Sequence, residues 1–302
     1  MSDPPLPELP RQPPLAKAVT FALLHFVFVF ALLMVPFRFD FVHGDVAELI
    51  TRALRLFLCA SCTYIFFVKL CAFQPRDIGI AIPRNAATRF SVGIALGLVC
   101  LVVCFCIAWG RGALVVSAAP PDEVPTSRDW LLRGGAMLLG ATFEEFAFRV
   151  AMVGVLSRVL PVALAVSLPA ALFGLLHALN AGATTLSVMN TSLAGLLLGF
   201  LFFDRGARGP GSQVSGGPSL PLATGFHFSW NLLMGYLFGI PVSGHPSAAR
   251  ILKTEPTDIL WSGGSYGLEA GVGATIVLVV ASVAAFYFAK PRLLAVASQN
   301  AR

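Results

Sequence analysis

Charged side chains are scarce in this 302-residue sequence: Asp, Glu, Lys and Arg make up 12%, against 57% hydrophobic residues. The mean hydropathy is +0.80. So little charge excludes a soluble enzyme and indicates a protein that crosses a membrane several times. The formal net charge is +6. The basic residues are spread through short loops. This distribution is typical of the enrichment of Lys and Arg in cytoplasmic loops and of contact with lipid headgroups, rather than of nucleic-acid binding.

The six cysteines do not form a disulfide framework, because all of them lie in or beside apolar runs. The Cys59-x-x-Cys62 pair lacks the second pair that a metal site of this kind needs. Two common catalytic motifs give no support here. The Gly-x-Ser-x-Gly sequence at 263–267 lies in the predicted turn-rich loop, outside the polar helices described below, and no His-Glu-x-x-His sequence occurs anywhere. A serine nucleophile and a zincin-type site are therefore disfavoured.

The apolar runs predict an all-α fold, a polytopic transmembrane helix bundle of about eight spans. Each run is close to the ~20 residues that a helix needs to cross ~30 Å of hydrocarbon. The predicted spans are 17–37, 54–73, 90–109, 131–156, 160–179, 185–203, 220–240 and 271–289.

The chain is predicted to divide into five regions. They are a disordered tail (1–16), N-terminal transmembrane helices (17–130), a helix core with the polar residues described below (131–240), a turn-rich loop (241–270) and a C-terminal transmembrane helix with its tail (271–302). A segment rich in Gly, Pro and Ser, 206–217, is predicted to be a flexible connector. Lys and Arg counts in the loops favour both termini in the cytoplasm. We expect a multi-pass protein of a bacterial cytoplasmic membrane.

Three ionisable residues interrupt the apolar run that ends near residue 156. An ionised side chain costs about 2.5–3.5 kcal/mol at the centre of a membrane helix on insertion scales, so a chain that keeps three is expected to use them. Glu145 and Arg149 are four residues apart, which predicts an ion pair on one helix face. Glu144 projects about 100° away from Glu145, and we predict that it faces a cavity.

Two further spans carry polar residues at helical spacing. His177 follows Phe173 by one turn in the fifth span, and His227 and Asn231 share a face of the seventh. Burial raises the proton affinity of a carboxylate, so Glu144 is predicted to act as a general base, with His177 sharing the activation of water. His227 and Asn231 are predicted to stabilise the oxyanion that forms when water attacks an amide carbonyl.

Three motifs occur in a fixed order, and together they resemble the signature of a known family: Glu144-Glu145-x-x-x-Arg149, Phe173-x-x-x-His177 and His227-x-x-x-Asn231. The family is that of the CAAX-processing and bacteriocin-processing (CPBP, or Abi) intramembrane proteases, which includes the Ras-converting CAAX prenyl endopeptidase. The resemblance covers about 131–240 and is specific because it rests on three ordered motifs.

The resemblance implies a role for each matching residue. Glu144 corresponds to the catalytic glutamate, His177 to its water-activating partner, and His227 and Asn231 to the oxyanion-stabilising pair. The positions that match supporting residues are Glu145, Arg149 and Phe173. The family implies an endopeptidase whose substrate is a protein or peptide in or at the lipid bilayer. Relatives process prenylated C-a-a-X tails, but no prenyl pocket is readable in this sequence.

The residues leave more than one mechanism and class open. We favour a glutamic-type peptidase with no metal or other cofactor. In a zinc-dependent version, the three ligands are Glu144, His177 and His227, with water in the fourth position. A catalytically silent relative, acting as an immunity or scaffold protein, stays an alternative. A proton-coupled transporter predicts inverted repeats, and no internal repeat is evident.

Overall fold

The computed structural model describes residues 14–37, 43–203, 218–247 and 249–300. Positions 1–13 of the predicted disordered tail (1–16) lie outside the described residues. The predicted connector, 206–217, lies outside them entirely, so neither prediction is addressed by the structure.

Helices make up most of the described chain. In order, they are α1 (Leu15–Met34), α2 (Gly44–Thr63), α3 (Ala86–Gly110), α4 (Ser127–Glu145), α5 (Val162–His177), α6 (Thr185–Phe202), α7 (Pro221–Leu232), the short α8 (Ile259–Ser262) and α9 (Val272–Asn300). Three of them continue directly into wider π-helical turns. These turns follow α2 (Tyr64–Leu70), α4 (Phe146–Gly154) and α7 (Leu233–Leu237).

The prediction of an all-α membrane bundle is confirmed, and each of the eight predicted spans coincides with a long helical segment. By length and composition alone, five of the described segments can cross a membrane: Leu15–Met34, Gly44–Leu70, Ala86–Gly110, Thr185–Phe202 and Val272–Ala297. α5 is apolar but shorter. The eight-span count is therefore approximate.

Two short strands were not predicted. β1 (Leu114–Ala118) pairs antiparallel with β2 (Leu252–Pro256), so part of the turn-rich loop is a strand. Because β1 follows α3 and β2 follows α7, the pairing places the C-terminal ends of these two helices at the same end of the bundle. Beside the sheet, Arg250 Nε donates to Glu123 Oε2 at 2.6 Å. This hydrogen bond lowers the pKa of Glu123 below its usual value.

Glycines bring the helices that carry the polar residues close to their neighbours. A Cβ on Gly225 of α7 would collide with the carbonyl of Phe90 on α3, and one on Gly93 would collide with the carbonyl of Leu222. A Cβ on Gly174 of α5 would likewise collide with Val188 on α6. Small residues permit this backbone approach between membrane helices. These close contacts lie two residues before His227 on α7 and three residues before His177 on α5. They therefore fix the distance of each helix from its neighbour beside these two histidines.

Candidate active site

A buried ion pair lies at the centre of the site. Arg149 Nε lies 3.1 Å from Glu145 Oε2, as the four-residue spacing predicts, and these side chains are 2% and 0% exposed. The guanidinium also lies 4.8 Å from the centroid of the Phe173 ring on α5 and donates to the carbonyl of Gly195 on α6. Because an uncompensated charge is very costly away from water, each member of this pair requires the other.

His227 lies between two carboxylates. Its Nδ1 is 2.8 Å from Glu145 Oε1, and its Nε2 is 3.8 Å from Glu144 Oε2. A carboxylate only accepts hydrogen bonds, so Nδ1 carries the proton in the first contact and Nε2 is directed towards Glu144. The second distance is too long for a hydrogen bond. A water molecule on the cavity side can reach both atoms, since each such bond needs only about 2.8 Å.

One cavity has a volume of about 580 Å³. Its lining includes all four residues that the sequence assigns to catalysis: Glu144, His177, His227 and Asn231. The Glu144 side chain is 31% exposed, whereas Glu145 is fully buried. The cavity also extends to the ends of α1 and α5 and to the loop 242–247. The two adjacent carboxylates therefore occupy different surroundings, one in the ion pair and one in the cavity.

His177 is oriented by its own helix. Its Nδ1 lies 2.7 Å from the carbonyl oxygen of Phe173. A carbonyl cannot donate, so Nδ1 is the donor, and Nε2 of the neutral ring is left as a proton acceptor. The sequence paired Glu144 with His177. In the structure, both line the cavity, but the imidazole within 4 Å of the Glu144 carboxylate is that of His227.

Phe173 supports both imidazoles. Its ring centroid lies 4.5 Å from that of His177, 6.2 Å from that of His227 and 5.1 Å from that of Phe148. Phe173 is 3% exposed. Together with the Arg149 guanidinium over its face, these contacts hold the Phe173 ring between α7 and the π-helical turns that follow α4.

A third acidic residue of the site, Glu269, was not assigned to it from the sequence. Its Oε1 accepts from Trp230 Nε1 at 3.2 Å, and its Oε2 accepts from the Ser243 backbone N–H at 2.7 Å and hydroxyl at 2.6 Å. Asn180, just after α5, donates to the Ser243 carbonyl at 3.0 Å. Ser243 has a φ of +48°, a strained value for a residue with a side chain. Glu269 therefore ties the cavity loop to the residue that precedes Asn231.

The sequence contained a weak signal for this role. Glu269 ends a glycine-punctuated segment that begins at Gly263 and directly precedes the last apolar run. An acid at such a place needs partners, but the residues that supply them are 26 and 39 positions away.

The described donor groups of the site are not arranged to hold a metal ion. Within the described part of the chain, no group of three His, Cys, Asp or Glu side chains is placed to hold a metal ion. The three donors named for a zinc-dependent mechanism therefore do not form a ligand set in this arrangement.

The fold and the site together define a class, a polytopic helical membrane protein with a carboxylate, two imidazoles and an amide around an internal cavity. Residues 126–233 match the family model of the type II CAAX prenyl endopeptidases, described as Rce1-like. The match runs from the N-cap of α4 to just beyond α7 and contains all three motifs. Over about a third of the chain, the match confirms the family resemblance that the three motifs indicate. No curated protein matches the chain.

Proposed function

We propose that this protein is an intramembrane endopeptidase that hydrolyses a peptide bond of a membrane-associated protein or peptide. The observation that carries the proposal is the single cavity that Glu144, His177, His227 and Asn231 line together. Four polar residues from three apolar helices are costly to keep within a bilayer unless they act on something there. The family match supports peptide hydrolysis over proton transport or a purely structural role.

In the proposed mechanism, Glu144 takes a proton from a water molecule that it shares with the imidazoles. The free acceptor nitrogen of His177 assists this step. The water oxygen attacks the carbonyl carbon, and the carbonyl π electrons move to the oxygen. Asn231 donates to this oxyanion from its amide, and His227 donates from Nε2 when both its ring nitrogens carry protons. Glu144 then gives its proton to the leaving nitrogen as the C–N bond breaks.

The buried residues fix the orientation of His227 in this mechanism. Arg149 pairs with one oxygen of Glu145, which leaves the other oxygen for His227 Nδ1. The carboxylate thus keeps Nδ1 protonated and holds the ring in one rotation with Nε2 towards the cavity, as an orienting acid does for a catalytic histidine. Glu145 and Arg149 act through His227 and are positioning residues.

The proposal is tested by comparing protein termini in cells that carry the wild-type chain or its Glu144→Gln variant. We expect new N- and C-termini of membrane proteins that depend on Glu144, and cleavage of an internally quenched peptide by the purified chain in vesicles. Identical termini in the two strains, together with no cleavage in vitro, would instead favour a silent relative that keeps the fold as an immunity or scaffold protein.

Metal removal separates the glutamic mechanism from the zinc-dependent one. We expect the purified protein to keep its rate of peptide cleavage, within about twofold, after exhaustive dialysis against a strong chelator, because the water is activated by side chains alone in the proposed mechanism. Elemental analysis of the dialysed sample provides the control for complete removal. A rate that falls with the metal content and returns on addition of Zn²⁺ would contradict this expectation.

Substitution of Glu269 tests its positioning role. In Glu269→Gln, an amide NH₂ group, which donates hydrogen bonds, replaces one carboxylate oxygen. This NH₂ group faces either Trp230 or Ser243, which are donors themselves. We expect kcat to fall about 10- to 100-fold through misplacement of the Asn231 amide. KM is expected to change less, a split that general unfolding would not produce.

The matched control is Glu255→Gln, which changes a 62% exposed carboxylate on β2. Its kinetic constants are expected to equal those of the wild type. Equal losses in the two variants, or a loss in Glu269→Gln confined to the amount of folded protein, would refute a positioning role.

A further inference from the structure

We propose that a small pocket beside His177 and His227 binds water and supplies the molecule that peptide hydrolysis consumes. The inference rests on the proposed peptidase function, and it adds a ligand site and a water-positioning residue, Thr191. The pocket is separate from the catalytic cavity and has a volume of about 40 Å³. One water molecule needs about 10–15 Å³ of such space, so the pocket has room for about three.

The small pocket and the catalytic cavity share a wall. The catalytic acid lies on one side of this wall, because Glu144 lines the larger cavity, and Glu269 lies on the other, because it lines the small pocket. The residues that line both are Phe173, His177, His227, Asn231 and Ser243. A water molecule that leaves the pocket between these side chains therefore enters the catalytic cavity beside both imidazoles.

Thr191 of α6 supplies a buried hydroxyl that needs a ligand. Thr191 lines the pocket and is 5% exposed, and its hydroxyl oxygen has no hydrogen-bond partner among the described residues. The hydroxyl of Tyr266 lies near it, but it makes no hydrogen bond of regular geometry in the described chain either. An unpaired buried hydroxyl is costly, and a bound water molecule is the usual partner of such a group.

The pocket also offers hydrogen-bond acceptors. Glu269 Oε1 accepts from Trp230 Nε1, and since a carboxylate oxygen has two lone pairs, one stays available. His177 donates from Nδ1 to the carbonyl of Phe173, which leaves its Nε2 as an acceptor. A buried water molecule makes about three hydrogen bonds, and cavities that stay empty are apolar. The polar groups of this lining therefore favour water.

Asn190 fixes the two sides of the pocket relative to each other. Its Nδ2 donates to the backbone carbonyls of Glu269 at 2.8 Å and Gly271 at 3.0 Å, and its Oδ1 accepts from Thr275 Oγ1 at 2.8 Å. These bonds tie α6 to the segment that enters α9. The hydroxyl of the next residue, Thr191, is thereby held at a fixed position relative to Glu269.

A separate water site matters when the substrate is bound. A peptide that fills the larger cavity displaces water from it, and much of that lining is apolar, as at Phe30, Leu33 and Met34. A peptide does not fit into a pocket of about 40 Å³. Water held there stays beside the histidines while the larger cavity is occupied. Each cleaved peptide bond consumes one water molecule, which is replaced from solvent after the products leave.

The test detects the bound water directly. X-ray radiolysis of ordered water forms hydroxyl radicals that oxidise adjacent side chains, and mass spectrometry locates the oxidised residues. Trp230 lines the pocket and is only 5% exposed, whereas Trp261 of α8 is partly exposed and serves as a reference within the same sample. In the full-length protein in lipid nanodiscs, we expect Trp230 to be oxidised about as fast as Trp261, because water contacts it despite its burial.

Two substitutions remove the water in different ways. Thr191→Val deletes the hydroxyl at nearly constant shape, and Ala194→Leu fills the pocket, which Ala194 lines. We expect each to lower the Trp230 to Trp261 oxidation ratio about fivefold. In Thr191→Val, kcat for peptide cleavage is expected to fall about tenfold, with KM within about twofold, because the contacts with the peptide are kept.

The matched control is Thr224→Val, which deletes another buried hydroxyl with no described hydrogen-bond partner, on α7 and outside the pocket lining. It is expected to keep the wild-type oxidation ratio and kcat. A Trp230 oxidation rate in the wild type as low as in Ala194→Leu would overturn the proposal. Equal losses of kcat in Thr191→Val and Thr224→Val would also overturn it, since packing would then explain both.

The two measurements separate failure of the water site from failure of the peptidase function. Water-dependent oxidation of Trp230 in a protein that cleaves no peptide would refute the peptidase and retain the water site. Cleavage at the wild-type kcat by Thr191→Val and Ala194→Leu, after the oxidation of Trp230 is lost, would retain the peptidase and refute the supply of water from this pocket.

Discussion

Glu144→Gln is expected to lower kcat for peptide hydrolysis by about 10²- to 10⁴-fold, with KM within about twofold of the wild-type value. Glutamine has nearly the same shape as glutamate but cannot take a proton from water. Glu144 is 31% exposed, and its carboxylate lies 3.8 Å from His227. Among the described residues, the substitution therefore breaks no close hydrogen bond, and we expect the folded protein and its unfolding midpoint to be retained.

The control for this variant is Glu123→Gln. Glu123 is 30% exposed, almost as much as Glu144, but it pairs with Arg250 near the two strands, outside the cavity lining. Both variants are assayed on the same peptide in the same vesicles. If the two lose activity equally, or if Glu144→Gln keeps more than about a tenth of the wild-type kcat, Glu144 is not the general base.

The contacts that the sequence predicts are those within one helix. Glu145 and Arg149 pair because a four-residue spacing places two side chains on the same face, whatever surrounds the helix. The same rule gives the common face of His227 and Asn231, which line one cavity. Hydropathy alone locates the membrane helices, since the length of an apolar run depends only on local composition.

Contacts between helices are not encoded in this local way. The bond from His227 to Glu145 joins residues 82 positions apart, and it depends on how α4 and α7 are rotated about their axes. No spacing rule within one helix contains this relative rotation, and for this reason the Glu145–His227 contact could not be predicted from the sequence.

The two small strands escaped prediction for a related reason. Each has only five residues, and their pairing joins positions 114–118 with 252–256 across the whole helix core. β1 is a short, mostly apolar run that is compatible with a helix end as well as a strand, β2 contains Lys253, Thr254 and Glu255 and has no apolar run, and the partner that decides each assignment lies far along the chain. The Glu269 network depends on the same loop, so its assignment required the folded structure.

Glu145→Gln is expected to damage both stability and catalysis, because Glu145 is the shared partner of two buried groups. Without its charge, Arg149 remains 2% exposed and uncompensated, which costs about 3–5 kcal/mol when one member of a buried pair is removed. The glutamine amide also no longer provides a carboxylate for His227 Nδ1. We expect a lower unfolding midpoint in detergent and a fall in kcat of the folded fraction by about 10²-fold or more.

A second substitution separates the two effects. In Glu145→Gln/Arg149→Met, the uncompensated cation is gone, and a side chain of similar length packs against Phe173, so we expect most of the lost stability to return. The His227 ring still lacks its orienting carboxylate, and kcat is therefore expected to stay as low as in the single variant. Recovery of kcat together with the unfolding midpoint would show that the ion pair serves stability alone. Recovery of the midpoint without kcat is the outcome expected if Glu145 orients His227 for catalysis.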